Sequence, residues 1–260
     1  MAAFLYAGRF DGYVFRWALC YIQTQEEGNT GKREGDILKI LHDPIQKEKL
    51  IQTHKLADYM TLDIHEISDL VCFARNEYLV TAGVPSDYLY FVTSGKTICF
   101  SYTTNEKNNC VSFTQHQTLV GEASSLFGKP PTFNVKALSD TVCIAINLPR
   151  YRTALLNDLT FVRNICELLA SKINNEGRYS TTLLDPLEVR LAQFILLNTT
   201  NHLFTLQLTD CADALNTSYR HLLRIMKQLC ALNILSKEHN CYYIQDRDAL
   251  ERVSSGRYSL

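Results

Sequence analysis

The feature that most limits the fold of this chain is a change of pattern near Pro149. Between Cys72 and Pro149, short segments rich in Val, Ile, Tyr, Phe and Thr follow one another about every ten residues, separated by AGVPSD, NEKNN and FGKPPTF. After Pro149 the apolar residues recur at helical intervals. The pattern predicts an α+β chain, in which a β-sandwich, barrel or jelly-roll with its own core is followed by helices.

The composition is that of a folded globular protein. Of the 260 residues, 46% are hydrophobic and 20% are charged, which allows one large domain or two modest ones. Lys and Arg number 26 against 27 Asp and Glu, so any nucleic-acid surface has to be local. The nine cysteines form no C-x-x-C pair and no signal peptide precedes them, so we expect reduced thiols in a cytoplasmic protein with no cofactor and no metal.

The first 22 residues are apolar and aromatic, but Arg9, Asp11 and Arg16 interrupt them. The apolar run is therefore shorter than the ~20 residues of a membrane span. An amphipathic helix and a weakly ordered extension both stay open. In a helix, one apolar face would consist of Phe10, Val14, Trp17 and Tyr21. We assign residues 1–44 to an extension and linker, since 23–36 are polar and contain three glycines.

Three further segments are expected. We assign 45–156 to the β domain, 157–184 to one long helix and 185–260 to a helical domain, whose first helix Asp185 is expected to cap ahead of Pro186. The long helix carries an apolar stripe that can pack on the β domain or on a second copy of itself, and we expect a homodimer. The expected dimer-interface residues are Val162, Ile165, Leu169 and Ile173.

Residues 209–229 predict two short helices joined by a tight turn. Thr209 is expected to cap the first helix, and Ala212 is small where the second helix must cross closely. Asn216 lies at the turn, because Asn tolerates the left-handed backbone conformation. Ser218 then starts the second helix, whose buried stripe is predicted to be Leu222, Ile225, Met226 and Leu229. This is the spacing of a helix-turn-helix.

The second helix has a basic face. No acid lies between Asp213 and Glu238, although residues 185–260 as a whole contain eight basic and eight acidic side chains. The following stretch, ILSKEHNCYYIQD, predicts a two-stranded wing with Lys237 and His239 near its tip. The basic face could be an ordinary solvated helix surface, but the turn and the wing favour contact with double-stranded DNA. There, arginine can hydrogen-bond guanine and hydroxyl groups can bind phosphates. The predicted DNA-binding residues are Thr217, Ser218, Tyr219, Arg220, Arg224, Lys227 and Lys237.

This order of segments resembles the CRP/FNR family of bacterial transcription regulators. EYLVTAGVPSDYLYFVTSGK resembles the family's first β-roll hairpin, with Gly83 and Gly95 at its glycine positions, and LVGEASSLFGKPP resembles its ligand-pocket motif, with Gly121 and Glu122 in place. SYRHLL and LLNDLTFVRNIC extend the match. The resemblance implies an N-terminal double-stranded β-helix (a jelly-roll like the cyclic-nucleotide-binding domain), a long dimerisation helix and a C-terminal winged helix-turn-helix. It also implies a homodimer on an inverted-repeat site, with RNA polymerase as a further partner.

Two departures limit what the resemblance implies. Cyclic-AMP binders follow the pocket motif with an Arg-Ser or Arg-Thr pair for the phosphate, whereas this chain has Pro130-Pro131-Thr132-Phe133 there. An unpaired phosphate is costly, so we expect no response to cyclic AMP and either an unknown small-molecule effector or none. Glu122 either bonds such a ligand or caps the segment ahead of Leu126. The expected pocket residues are Gly121, Glu122, Thr132, Ser171 and Asn175.

The second departure concerns cysteines. FNR-type sensors carry closely spaced N-terminal cysteines that Cys20 and Cys72 do not reproduce, so an iron–sulfur cluster is not expected. Cys72, Cys99, Cys110 and Cys143 either approach one another across the roll or behave as small buried hydrophobic residues.

Three classes of function compete. The leading hypothesis is a sequence-specific DNA-binding transcription regulator, and the alternative is a ligand-binding regulatory module that acts on a protein partner. Such a module has no need of an acid-free basic helix after a turn. Catalysis is not expected and no catalytic residue is assigned, because G-x-S-x-G, H-E-x-x-H, P-loop and dinucleotide motifs are absent from the sequence.

Overall fold

The computed structural model describes residues 38–102, 108–114, 117–182, 184–239 and 241–257. The readings for the N-terminal segment, including the apolar face with Trp17, lie outside these residues. The strands are β1 (Lys39–Ile40), β2 (Ser68–Phe73), β3 (Tyr78–Val80), β4 (Tyr88–Ser94), β5 (Thr97–Tyr102), β6 (Asn108–Thr114), β7 (Thr118–Val120), β8 (Asn134–Ala137), β9 (Thr141–Asn147), β10 (Leu203–Phe204), β11 (Leu235–Glu238) and β12 (Cys241–Ile244). The helices are α1 (Pro44–Thr53), α2 (Ile64–Ile67), α3 (Leu148–Asn157), α4 (Leu159–Thr182), α5 (Leu187–Leu197), α6 (Leu208–Ala214), α7 (Tyr219–Ala231) and α8 (Arg247–Ser254).

Two antiparallel sheets form the β-roll, with strand orders β1-β2-β9-β4-β7 and β3-β8-β5-β6. This confirms the predicted jelly-roll. The roll begins earlier than residue 45, because Lys39 pairs with Cys72. Gly95 turns β4 into β5 with a φ of +100°, and a Cβ there would lie 2.4 Å from the Thr141 hydroxyl oxygen. Only glycine fits this turn without a shift of β9.

The segment assigned to one long helix, 157–184, contains the single helix α4, and α3 ends just before it, so that the two helices meet at Asp158. The Asp158 carboxylate caps α4 by accepting hydrogen bonds from the main-chain N–H groups of Thr160 and Phe161 at 3.0 and 3.2 Å. Its other oxygen accepts from Thr61 N–H and Oγ1 at 2.5 and 2.9 Å and from Leu62 N–H at 3.2 Å. Asp158 thus ties α4 to the segment that follows α1.

The apolar stripe of α4 is divided between two environments. Ile165 is 4% exposed and belongs to the core of the roll, and Leu169 packs half-buried against the same core. Ile173 is 68% exposed, and Leu159, at the start of the helix, is 61% exposed. The middle of the stripe therefore packs on the β domain, as one of the two predicted alternatives had it, and its C-terminal end is exposed at the surface.

Residues 187–254 form a winged helix-turn-helix. A three-stranded sheet, β10-β12-β11, closes a core to which α7 contributes the predicted stripe of Leu222, Ile225, Met226 and Leu229. Two predicted caps are wrong. α5 begins at Leu187 with no side-chain cap, because Pro186 and not Asp185 occupies the N-cap position, and α6 begins at Leu208, which places Thr209 inside its first turn.

Within the described residues, no helix is long and apolar enough to cross a membrane.

Candidate nucleic-acid interface and effector cavity

The turn between α6 and α7 has the conformation that its sequence predicts. Asn216 has a φ of +49°, in the left-handed region, and the Thr217 N–H closes the turn on the Ala212 carbonyl at 3.0 Å. Ser218 is the N-cap of α7, since its hydroxyl oxygen accepts from the His221 N–H at 3.2 Å. From α5, Arg190 donates to the Leu215 carbonyl at 2.8 Å. The turn is thus fixed from both sides and α7 leaves it at a defined angle.

The first half of α7 presents its polar side chains to solvent. Arg220, His221 and Arg224 are exposed, and 48% of Tyr219 is exposed. The Arg224 guanidinium lies 2.9 Å from Nε2 of His221, and because arginine can only donate, His221 accepts with its unprotonated nitrogen. The predicted residues Ser218 and Lys227 are also exposed, and Thr217 is half-buried. The tip of α7 therefore offers hydroxyl, phenol and guanidinium donors together.

The wing is the hairpin of β11 and β12, in which Lys237 pairs with Tyr242. The Lys237 ammonium lies 6.0 Å from the centre of the Tyr242 ring, a cation–π distance, and remains exposed. His239 has a φ of +54° at the exposed end of the hairpin. Lys237 is thus held on the exposed surface of the wing, which adjoins α7.

A cavity of about 770 Å³ lies between the roll and α4. Gly121, Glu122, Thr132 and Ser171 line it, whereas the side chain of Asn175 falls outside the part that the structure describes. Gly121 has a φ of +101°, and a Cβ there would lie 3.0 Å from the Tyr88 carbonyl oxygen. Four of the five expected pocket residues therefore share one cavity.

Lys172, which is not among the expected pocket residues, is the cation of this cavity. Its ammonium donates to Glu122 Oε1 at 2.6 Å and to the Leu119 carbonyl at 2.7 Å. Glu122 is only 6% exposed and caps no helix, since the short 3₁₀ turn that follows has no side-chain cap. Among the described residues that line the cavity, Glu122 and Lys172 are the only charged ones, so the described lining carries no net charge.

The cysteines of the roll are mostly buried. Cys72, Cys110 and Cys143 lie in the apolar cores, and burial raises the pKa of the Cys143 thiol far above its ordinary value. No group of three or more His, Cys, Asp or Glu side chains suited to a metal occurs in the described ranges. Cys143 is therefore a protonated, apolar side chain at neutral pH.

Comparison with known proteins agrees with both halves of this architecture. The model of the cyclic nucleotide-binding domain matches residues 70–158, and that of the Crp-like helix-turn-helix domain matches residues 189–253. The chain is 30% identical over 199 residues to regulatory protein YeiL of Escherichia coli O157:H7. The aligned region covers 76% of this chain and 90% of that protein. The chain belongs to the CRP/FNR family of transcription regulators.

Solved structures of CRP/FNR regulators have the same fold. A CRP-family regulator from Thermus thermophilus superposes with a TM-score of 0.62 at 18% identity, over 71% of this chain and 96% of that one. FixK2 from Bradyrhizobium japonicum superposes with a TM-score of 0.62 at 17% identity, over 72% of this chain and 97% of that one. The sequence-based prediction of a CRP/FNR-type DNA-binding regulator is confirmed, and the alternative of a module acting on a protein partner is not favoured.

Proposed function

We propose that this CRP/FNR regulator binds an inverted-repeat DNA site as a homodimer and inserts the N-terminal half of α7 into the major groove of each half-site. The observation that carries the proposal is the exposed, acid-free tip of α7, with Arg220 and Arg224 one helical turn apart behind the fixed turn at Asn216. Ser218 and Tyr219 supply donors for phosphates, and Lys227 and Lys237 add positive charge on either side.

The exposed end of the α4 stripe supports the homodimer. Ile173 and Leu159 are exposed apolar side chains on a 24-residue helix, and a second α4 would cover them together with the outer parts of Val162 and Leu169. Ile165 already packs on the roll of its own protomer, so it would lie beneath the interface between the two α4 helices and not in it. Two recognition helices would then lie about one DNA turn apart. RNA polymerase would be the next partner, and the cytoplasm the place of action.

Selection from a random duplex library tests this function. We expect the protein to enrich an inverted repeat whose half-sites are centred about 10–10.5 bp apart, because two-fold symmetry of the protein is mirrored in its site. Sedimentation at micromolar concentration is expected to give a dimer. A single asymmetric half-site bound by a monomer would contradict the proposed dimer, and no enrichment at low salt would contradict DNA reading itself.

We expect the cavity not to bind cyclic AMP. The cyclic phosphate would bring a negative charge into a site whose cation, Lys172, is already bonded to Glu122, and Thr132 and Phe133 provide no other. Separating this pair would leave a buried carboxylate without its partner, which is strongly unfavourable. An effector of this cavity would instead be neutral overall.

Calorimetry and a thermal shift check this expectation. Titration with millimolar cyclic AMP is expected to show no saturable heat, and the melting temperature is expected to stay constant, because a ligand at 100 times its Kd would add about 2.7 kcal/mol of stability. Micromolar binding that is lost in Glu122→Ala would show that the cavity accepts the nucleotide after all.

A further inference from the structure

The strand β6 lies at the edge of its sheet and meets the helix-turn-helix there. Within the described residues, β6 has a neighbouring strand, β5, on one side only. The outer N–H and C=O groups of such an edge strand are a ready template for pairing with another segment. In this chain the segment that approaches the edge is the turn between α6 and α7.

Asn216 pairs with this edge as a strand would. Its Oδ1 accepts from the Cys110 N–H at 2.6 Å and its Nδ2 donates to the Cys110 carbonyl at 2.9 Å. The side-chain amide has the same donor and acceptor as a peptide group, so both main-chain groups of one β6 residue are satisfied by one side chain. The turn of the helix-turn-helix is thereby joined to the β-roll across 106 residues of sequence.

Two further contacts flank this pair. At the start of α6, the Arg75 guanidinium lies 2.9 Å from both carboxylate oxygens of Asp210 and donates to Gln207 Oε1 at 3.0 Å. On the other side, the Phe113 ring of β6 lies 5.2 Å from the Phe194 ring of α5. Contacts from α5, α6 and the turn therefore hold the whole helix-turn-helix against one face of the roll.

We infer that this position competes with DNA for the same space. Thr217 and Ser218, at the tip of α7, directly follow Asn216. The major groove is about 12 Å wide and an α-helix with its side chains about 10–12 Å, so phosphates flank an inserted tip closely on both sides. A strand bonded to the residue next to that tip would occupy space that we infer one of those DNA strands needs.

The same strand also forms a wall of the cavity. Residues 111–114 of β6 line it, and the register of β6 shifts at Val111, because Cys99 pairs with Ser112 while Phe100 pairs with Cys110. A β-bulge bends its strand and leaves one residue outside the ladder. The bulged residue, Val111, therefore lines the cavity and directly follows Cys110, the residue that Asn216 holds.

We propose that Asn216 is an autoinhibitory latch, which holds the helix-turn-helix against β6 and must open before α7 can enter the major groove. The inference rests on the proposed DNA-binding function and adds its regulation. A shift of β6 at the bulge, from the cavity side, releases the turn. Opening passes the hydrogen bonds between the Asn216 amide and Cys110 to water, and it also separates the Arg75–Asp210 pair and the Phe113 and Phe194 rings. Specific DNA binding therefore has to supply the energy of all these contacts.

The variant Asn216→Gly tests the latch, because glycine keeps the left-handed turn and removes only the amide. Asn233→Gly is its matched control: Asn233 has a φ of +55° at the other end of α7 and is exposed. We measure hydrogen exchange of the full-length protein in the peptide that contains β6, and binding to the duplex that the wild type enriches and to a random duplex of equal length.

For Asn216→Gly we expect faster exchange in β6 and up to about tenfold tighter binding to the enriched duplex, a factor equivalent to about 1.4 kcal/mol. Asn233→Gly is expected to change neither. Unchanged exchange in β6, or binding that is unchanged or weaker while the wild type still enriches a motif, overturns the latch alone. If neither the wild type nor Asn216→Gly binds any duplex at low salt, the proposed function fails and the latch with it.

Discussion

Replacing Arg224 by Ala is expected to weaken binding to the selected DNA site by about 1–3 kcal/mol and to relax the preference at one base pair of each half-site. Arg224 is exposed one turn into α7, and its guanidinium is oriented by the 2.9 Å contact with His221. A bidentate contact with guanine depends on such a fixed fork. The same change at Arg220 is expected to relax a different position. Repeating the duplex selection with each variant measures both effects.

Lys237→Ala supplies the contrast for these variants. Lys237 lies on the wing over Tyr242 and is expected to contact phosphate, which carries no sequence information. Its removal should weaken specific and random duplexes alike and reduce the salt dependence of binding. If Arg224→Ala instead lost equal affinity for specific and random DNA, Arg224 would not read bases.

Replacing Asp158 by Ala is expected to lower the free energy of unfolding by about 3–4 kcal/mol, near the upper end for a single substitution, because several donors lose a charged acceptor and water replaces only part of these bonds. The carboxylate is 6% exposed and accepts five hydrogen bonds, two from the first turn of α4 and three from Thr61 and Leu62. Asp246→Ala is the matched control. Asp246 caps α8 by accepting one hydrogen bond, from the Ala249 N–H at 2.8 Å, and its replacement is expected to cost only about 1 kcal/mol. Urea denaturation followed by circular dichroism compares the two. Equal costs would mean that the bonds of Asp158 to Thr61 and Leu62 contribute nothing.

The contribution of Asp158 is also expected to depend on pH. Burial alone would raise the pKa of this carboxyl, but the hydrogen bonds from Thr61, Phe161 and Leu62 outweigh burial and lower it. A folded-state pKa below the unfolded value means that the stabilisation is complete above the ordinary pKa of aspartate and is lost as the pH falls through the lowered value. The difference in stability between wild type and Asp158→Ala should therefore shrink on acidification. A difference that stays constant to low pH would contradict this assignment.

Local patterns predicted the helix-turn-helix well because its determinants lie close together in sequence. The stripe from Leu222 to Leu229 needs only helical periodicity, the turn needs a residue such as Asn216 that tolerates the left-handed backbone, and Ser218 caps a residue within one turn. The caps of α5 and α6 were misplaced by one or two residues, since Asp185 and Thr209 are good capping residues that the packing of the domain leaves unused.

What could not be predicted depends on contacts between distant segments. The start of α4 near Asp158 follows from the local pattern, but the bonds that Asp158 accepts from Thr61, 97 residues away, do not. Lys172 follows the helical pattern of a surface residue, and only the position of Glu122 across the cavity draws its ammonium inward. The division of the α4 stripe has the same origin, because Ile165 meets the roll and Ile173 does not.

The side chain at position 216 meets two demands that few residues satisfy together. Its backbone needs a residue that tolerates the left-handed conformation, which favours Gly, Asn and Asp, and its contact with Cys110 needs a donor and an acceptor on the same group. Glycine supplies neither group, and an ionised aspartate would face the Cys110 carbonyl with a second acceptor. A substitution at this position therefore cannot change the geometry of the turn between α6 and α7 without also changing how firmly that turn is held to the β-roll.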